Sequence, residues 1–274
     1  SIYKEIDHST GEGNILNNLG ETHHLLGQYS KALDSYNASL SVLKGESSPR
    51  ESFSVLNNIG LVYYQLGDYS TALSFHRKSL DIRKRLEDSA AGQATSLHNL
   101  GLVYYELHQD DKALEFYESS IEISQKINDH ESLAATQNNL ALVLNRQGYH
   151  AEALEMLQQA ADIFQRKGML LDVANTLDSM ATVYKNQNRH VDAEEAYRQS
   201  LAVLDRIGNN ADKGIVLTNL GDLYEKMGSQ ESAVAVYKQV IDEFVETTFS
   251  QIRGEKLKSS FASKHANTYS RLIM

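Results

Sequence analysis

Apolar positions recur at helical spacing along this chain, and each run ends in a short polar break. Leu56, Ile59 and Tyr63 lie three and four residues apart, which places them on one face of a helix. Gly67 then interrupts the run, and glycine at this point suits a helix that ends in the left-handed conformation. A second amphipathic run follows through Ala72. This stretch therefore predicts two helices joined by a tight turn.

The two-helix pattern repeats six times with a period of 40 or 41 residues. The third residue of a phrase such as Asn-Asn-Leu-Gly falls at Leu19, Ile59, Leu100, Leu140, Met180 and Leu220. An alanine follows thirteen residues after each, at Ala32, Ala72, Ala113, Ala153, Ala193 and Ala233. A single helical hairpin cannot bury its own apolar face, so the units must stack on one another. The sequence predicts an all-α solenoid.

A small residue follows the leucine in every unit, within the first helix. It is glycine or alanine, at Gly20, Gly60, Gly101, Ala141, Ala181 and Gly221. Glycine inside a helix costs about 1 kcal/mol relative to alanine. Its repeated use predicts that the paired helices approach closely, with the repeated alanine of the second helix as the opposing small surface.

The repeat also predicts the organisation of the chain. Aligning the N-terminus on the sixth unit places Gly13 over Gly214, so residues 1–13 are interpreted as the end of an upstream unit. Residues 251–274 follow the last unit and are predicted to form a capping or linker helix. The six units are expected at about 14–52, 53–93, 94–133, 134–173, 174–213 and 214–250.

Composition narrows the class of protein further. The chain of 274 residues has one proline and no cysteine, which excludes a disulfide framework, a cysteine-ligated zinc site and a cysteine nucleophile within this segment. A net charge of −10 disfavours duplex nucleic acid as a partner. No apolar stretch is long enough to span a membrane, and no leader precedes the first unit. The expected location is the cytoplasm.

These features resemble the tetratricopeptide repeat (TPR) family. Its signature is matched in the second unit by Leu56, Ile59, Gly60, Tyr63, Gly67, Tyr69, Ala72, His76, Ser79 and Leu80. The period exceeds the family's usual length of about 34 residues, and the closing proline is missing. A longer period with Asn-Asn-Leu is similar to the TPRs of kinesin light chains and of bacterial peptide-sensing regulators. The resemblance implies a right-handed α-solenoid that binds proteins or peptides.

The C-terminal segment has a second resemblance. Ile252-Arg253-Gly254 and the later Tyr269-Ser270-Arg271-Leu272 are similar to the segment that joins TPR arrays to caspase-like CHAT protease domains. This resemblance implies a sensor region whose catalytic residues would lie beyond Met274. The simpler alternative is a solubilising cap for the last repeat.

The same segment is basic. Its last 22 residues hold five cationic side chains and one acid, Glu255. A basic tail beside an acidic array could dock on the array or on an acidic partner, or it could be a solvated helix face. The five cations are Arg253, Lys256, Lys258, Lys264 and Arg271.

Ligand-facing positions follow from the TPR resemblance, because the first helices of TPRs line the concave groove. An asparagine side chain there can both donate to and accept from an extended peptide backbone. Leucine and tyrosine would add an apolar strip. The residues predicted to bind a peptide or protein partner are Asn17, Asn57, His98, Asn138, Leu61, Tyr64, Leu102, Tyr105, Leu142 and Asn145.

A structural role is the alternative at these positions. The first asparagine of each pair could bind ligand or stabilise the array, and Tyr64 and Tyr105 could cover the next helix. The second asparagine of each pair is expected to bond the backbone of the neighbouring repeat. These second positions are Asn18, Asn58, Asn99, Asn139 and Asn219.

No constellation for catalysis or metal binding is recognisable in the sequence. The only adjacent histidines, His23 and His24, point apart on a helix. No phosphate-binding loop or nucleophile elbow is present. We therefore expect no catalytic residue, metal or cofactor in this chain. The predicted function is a protein- or peptide-binding scaffold, as the regulatory region of a CHAT-protease-like protein, a free-standing adaptor of kinesin-light-chain type, or a peptide-sensing regulator. The oligomeric state is left open.

Overall fold

The computed structural model describes residues 2–43, 49–86, 90–241, 250, 252–254, 256–260 and 263. Secondary structure in this part of the chain is helical, and it contains no strand. None of the helices found there is long and apolar enough to cross a membrane. The helices are α1 Ile2–Leu25, α2 Tyr29–Val42, α3 Pro49–Gln65, α4 Tyr69–Arg85, α5 Ala90–Glu106, α6 Asp110–Lys126, α7 His130–Arg146, α8 His150–Lys167, α9 Leu170–Asn186, α10 His190–Ile207, α11 Asn210–Lys226 and α12 Gln230–Val240.

The chain divides into two compact units. The first comprises residues 1–112 and 248–264, and the second comprises residues 113–247 and 265–274. In the first unit α1 packs on α2 and α3 on α4, while α2 also contacts α3 and α4 contacts α5. In the second unit α7 packs on α8, α9 on α10 and α11 on α12, and successive pairs touch through α8–α9 and α10–α11. The predicted all-α fold of stacked helical hairpins is confirmed within each unit.

The first helix is longer than the repeat requires. It runs without interruption from Ile2 to Leu25, so residues 2–13 continue directly into the first helix of the first repeat. Ile15 and Leu19 are 69% and 44% exposed, whereas the equivalent Val55 and Ile59 are 2% and 1% exposed. Val55 and Ile59 belong to α3, which packs against the second helix of the preceding hairpin.

In three hairpins, at Gly20, Gly60 and Gly221, the small residue of the first helix lies against an aromatic ring of the second helix. A Cβ placed on Gly20 would fall 2.5 Å from the ring of Tyr36, and one placed on Gly60 would fall 2.6 Å from the ring of His76. Both rings are fully buried. The predicted close approach is therefore present, but the expectation that the repeated alanine opposes the glycine is wrong. The ring four residues after that alanine fills the space.

The turn inside a hairpin requires a left-handed residue. Gly67, between α3 and α4, has a φ of +76°, and its amide donates to Tyr64 O at 3.0 Å. This geometry confirms the predicted role of the turn glycine. His108 and Asn188 adopt positive φ values of 54° and 61° in the corresponding turns of two other hairpins.

Residues 264–274 lie outside the described part of the chain. The predicted Tyr269-Ser270-Arg271-Leu272 motif belongs to this stretch, as do two of the five cations of the C-terminal segment.

Candidate functional site

All ten predicted ligand-facing residues lie on the first helices of hairpins, as the repeat requires. Asn57, Asn138 and Asn145 are only 8%, 8% and 4% exposed, and the other seven are partly exposed. The structure places Asn17 on α1, Asn57, Leu61 and Tyr64 on α3, His98, Leu102 and Tyr105 on α5, and Asn138, Leu142 and Asn145 on α7.

The asparagines of successive repeats are joined side chain to side chain. In the first unit, Asn58 Nδ2 donates to Asn17 Oδ1 at 3.1 Å and to Glu21 Oε1 at 2.8 Å. Asn17 Nδ2 donates to the same Glu21 carboxylate at 2.9 Å. We refer to a bond from the second asparagine position of one repeat to the first position of the preceding repeat as a rung.

The next rung is more deeply buried. Asn99 Nδ2 donates to Asn57 Oδ1 at 2.8 Å, and His76 Nδ1 lies 3.1 Å from the same oxygen. Burial lowers the pKa of His76 to about 4, so its ring is neutral at pH 7 and its Nδ1–H donates. Asn57 Oδ1 therefore has both of its lone pairs engaged within the protein.

The second unit contains an acidic rung. Asn219 Nδ2 donates to Asp178 Oδ1 at 2.9 Å and to Oδ2 at 3.2 Å. Burial raises the pKa of the Asp178 carboxyl to about 6, although the bond from Asn219 and the charge of Lys185 oppose that shift, and Asp212 adds to it.

The series is broken at Asn138. Its rung donor would come from position 179, 41 residues later, but that residue is Ser179. The Ser179 hydroxyl is too short to reach across and instead donates to Asn175 O of its own helix at 3.0 Å. Asn138 Oδ1 is buried and accepts no hydrogen bond from the described residues. It is a buried acceptor, among the ligand-facing positions, that lacks a donor.

The prediction that the second asparagine bonds the backbone of the neighbouring repeat is wrong for Asn58, Asn99 and Asn219. Each of them donates to a side chain of the preceding repeat. The signal that could have shown this is the spacing. A donor follows its acceptor by 41 or 42 residues, which is one period plus the single step between the two positions.

Two other predicted residues have partners within the protein. The Tyr64 hydroxyl donates to Glu106 Oε1 at 3.1 Å, and its ring lies 5.9 Å from that of Tyr69. Asn145 Oδ1 lies 2.8 Å from His150 Nδ1 at the start of α8, so this amide ties the turn of its hairpin. Ligand binding by these residues stays a prediction.

The acidic rung predicts a pH dependence of stability that Asp178→Asn should remove. The folded-state pKa of about 6 exceeds the ordinary value of 3.8, so the folded state holds this proton more tightly. The stabilisation of the folded state by the protonated Asp178 is full below about pH 4 and is lost as the pH rises through 6. One pKa unit corresponds to about 1.4 kcal/mol. When the pH is raised from 4.5 to 7.5, the free energy of unfolding of Asp178→Asn should therefore rise by about 1–3 kcal/mol relative to that of the parent.

Urea unfolding of both proteins at the two pH values measures this gain. Asp81→Asn on the exposed face of α4 is the matched control and should show no such change. A difference between Asp178→Asn and the parent that does not vary with pH would contradict the assignment.

The repeat has counterparts among known protein families. A family model described as tetratricopeptide repeat matches residues 51–126, 92–166 and 172–242, and a second of the same description matches residues 13–42. The chain belongs to the tetratricopeptide repeat family. Curated protein sequences gave no match to this TPR chain.

Solved structures share the TPR fold. The Rap protein complexed with Competence and Sporulation Factor aligns with a TM-score of 0.68 and 16% identity over 96% of this chain and 74% of its own. NprR in complex with its cognate peptide NprX aligns with a TM-score of 0.68 and 16% identity over 95% of this chain and 79% of its own. BtubC (BKLC) from P. vanneervenii aligns with a TM-score of 0.56 and 19% identity over 88% of this chain and 94% of its own. At these identities the likeness shows the fold alone.

Proposed function

We propose that this TPR array binds an extended peptide along its first helices, and that Asn138 is the central contact. The observation that supports the proposal is the Asn138 Oδ1, which is buried and without a donor, whereas the equivalent oxygens of Asn17, Asn57 and Asp178 accept a rung. A buried polar atom left without a partner costs roughly 1–3 kcal/mol. Rotation of the Asn138 side chain toward the ligand would let a peptide N–H supply the missing bond and recover that energy on binding.

The surroundings of Asn138 suit a peptide main chain. Leu142 lies one turn further along α7 and is partly exposed, and Asp178 on the neighbouring first helix offers a carboxylate. A backbone N–H needs an acceptor, and a flanking apolar side chain of the ligand needs a surface such as that of Leu142. NprR, whose fold is similar, was solved with its cognate peptide, which is consistent with this use of the fold.

Selection from a random decapeptide display library tests the proposal. Enriched peptides should bind the parent chain and lose at least tenfold in affinity on Asn138→Ala. They should lose as much on Ser179→Asn, because the new amide would donate to Asn138 Oδ1 and complete the rung. Glu155→Ala, on the exposed face of the second helix α8, is the control and should bind normally. The proposal would be contradicted if no peptide were enriched, or if neither Asn138→Ala nor Ser179→Asn lowered the affinity of the enriched peptides.

We also propose that the array is the regulatory region of a larger protein of the CHAT-protease type, and that any protease activity lies outside this chain. The similarity of Ile252-Arg253-Gly254 to the joining segment of such proteins supports this. Reading the parent gene past Met274 tests it. A following domain with a histidine and cysteine pair is expected, whereas an early stop codon would favour the adaptor of kinesin-light-chain type.

A further inference from the structure

The segment that follows the last repeat is held on the second helix of the first repeat. The backbone N–H of Arg253 donates to Ser30 Oγ at 2.7 Å, and its guanidinium forms an ion pair with Asp34. Ser30 and Asp34 lie one turn apart on α2, and Ser30 is 7% exposed. Ile252, immediately before these contacts, is 3% exposed. The segment thus combines a buried apolar side chain, a main-chain bond and a charge pair.

The same segment reaches the second repeat through Lys256. Its ammonium lies 2.7 Å from Asp68 Oδ2. Asp68 is 6% exposed and caps α4, where its carboxylate accepts from the Thr71 amide. Burial alone would raise the pKa of Asp68, but hydrogen bonds from Lys256 and from the first turn of α4 lower it below its ordinary value. The capping carboxylate is therefore ionised and provides a fixed negative charge for the lysine.

Gly254 sets the spacing between the two cations. Its φ of +95° lies in the left-handed region that favours glycine. The chain turns there, and the Lys258 amide then donates to Gly254 O at 3.0 Å as a short helix begins. The turn allows Arg253 and Lys256 to engage two different helices although only two residues separate them.

We propose that the N-terminal ends of α2 and α4 form a docking surface for a short basic segment of the form Ile-Arg-Gly-x-Lys, and that residues 252–256 are its occupant in this chain. The surface comprises Ser30, Asp34 and Asp68. It recognises one main-chain N–H and two cations at a fixed spacing, and Ile252 is buried next to these contacts. It lies at the starts of second helices, so it is distinct from the asparagine positions of the first helices and does not depend on peptide binding there.

The strength of the docking comes from the combination of contacts. Exposed ion pairs such as Arg253–Asp34 stabilise little on their own and are screened by salt. Tethering compensates, because a segment on the same chain acts at an effective concentration in the millimolar range. The surface should therefore be occupied in the full chain yet open to competition once the tethered segment is weakened.

Amide hydrogen exchange with charge reversal tests the intramolecular contact. In the full chain, the Arg253 amide should exchange at least tenfold faster on Asp34→Arg. The double variant Asp34→Arg with Arg253→Asp should restore slow exchange, because the ion pair is re-formed with its charges exchanged. Asp81→Arg makes the same charge change on the exposed face of α4 and is the control. Unchanged exchange in Asp34→Arg would overturn the contact.

A labelled peptide tests the surface itself. The probe is the sequence of residues 250–258, Ser-Gln-Ile-Arg-Gly-Glu-Lys-Leu-Lys, and the receptor is the full chain carrying Arg253→Asp and Lys256→Asp. Saturable binding should be at least tenfold tighter to this variant than to the parent, and adding Asp34→Arg should abolish it. Absence of binding to the released variant, or equal binding with Asp34→Arg present, would overturn the proposed surface.

Discussion

Gly60→Ala will destabilise the array by up to about 2 kcal/mol, although alanine is the better helix former. The added Cβ would lie 2.6 Å from Cε1 of the buried His76 ring, which is held by its bond to Asn57. Overpacking of a buried site costs about 1–3 kcal/mol in strain, which outweighs a gain of about 1 kcal/mol in helix propensity. Thermal unfolding followed by circular dichroism should show a melting temperature lower by up to about 8 °C.

The chain provides its own control for this substitution. Gly11 also lies inside a helix, but no heavy atom lies within 4 Å of a Cβ built there. Gly11→Ala should therefore leave the melting temperature unchanged or raise it. If Gly60→Ala matched Gly11→Ala, the close approach of ring and backbone would not be what selects glycine at position 60.

Much of the fold could be predicted because its determinants are local and repeated. Helical spacing of apolar residues, a turn glycine such as Gly67 and a period of 40 or 41 residues are each visible in the sequence. The identity of the group that opposes Gly60 could not be predicted from the sequence, because it depends on the direction of the His76 side chain. A small residue in the sequence indicates that something approaches closely, but it does not indicate what.

The candidate site was predictable in position and less so in bonding. Placement on the first helices follows from the repeat, whereas the partner of Asn99 depends on the stagger of neighbouring helices. One period plus one residue separates Asn99 from Asn57, and only the stacked geometry shows that their amides meet. The docking of Arg253 on Ser30 joins positions 223 residues apart, and no periodic pattern carries information about such a contact.

Asn57→Ala and Asn138→Ala will differ sharply in stability, although both remove an asparagine from the same repeat position. Without the Asn57 carbonyl, the buried Asn99 amide and His76 Nδ1–H both lose their acceptor. Leaving a buried donor unsatisfied costs about 1–3 kcal/mol, so a loss of about 2–6 kcal/mol is expected from the two donors together. Asn138 Oδ1 accepts no bond from the described residues, so its removal should cost less than about 1 kcal/mol.

Urea unfolding at pH 7 measures both losses, and Asn57→Asp separates the lost bonds from the lost volume. A carboxylate at position 57 keeps the acceptor oxygens, as Asp178 does when it accepts from Asn219 in the second unit. Asn57→Asp should therefore retain more stability than Asn57→Ala, reduced by the penalty of a buried charge. Equal losses in Asn57→Ala and Asn138→Ala would mean that the rungs contribute nothing to stability. The first-position asparagines, Asn57 as much as Asn138, would then serve ligand contact alone.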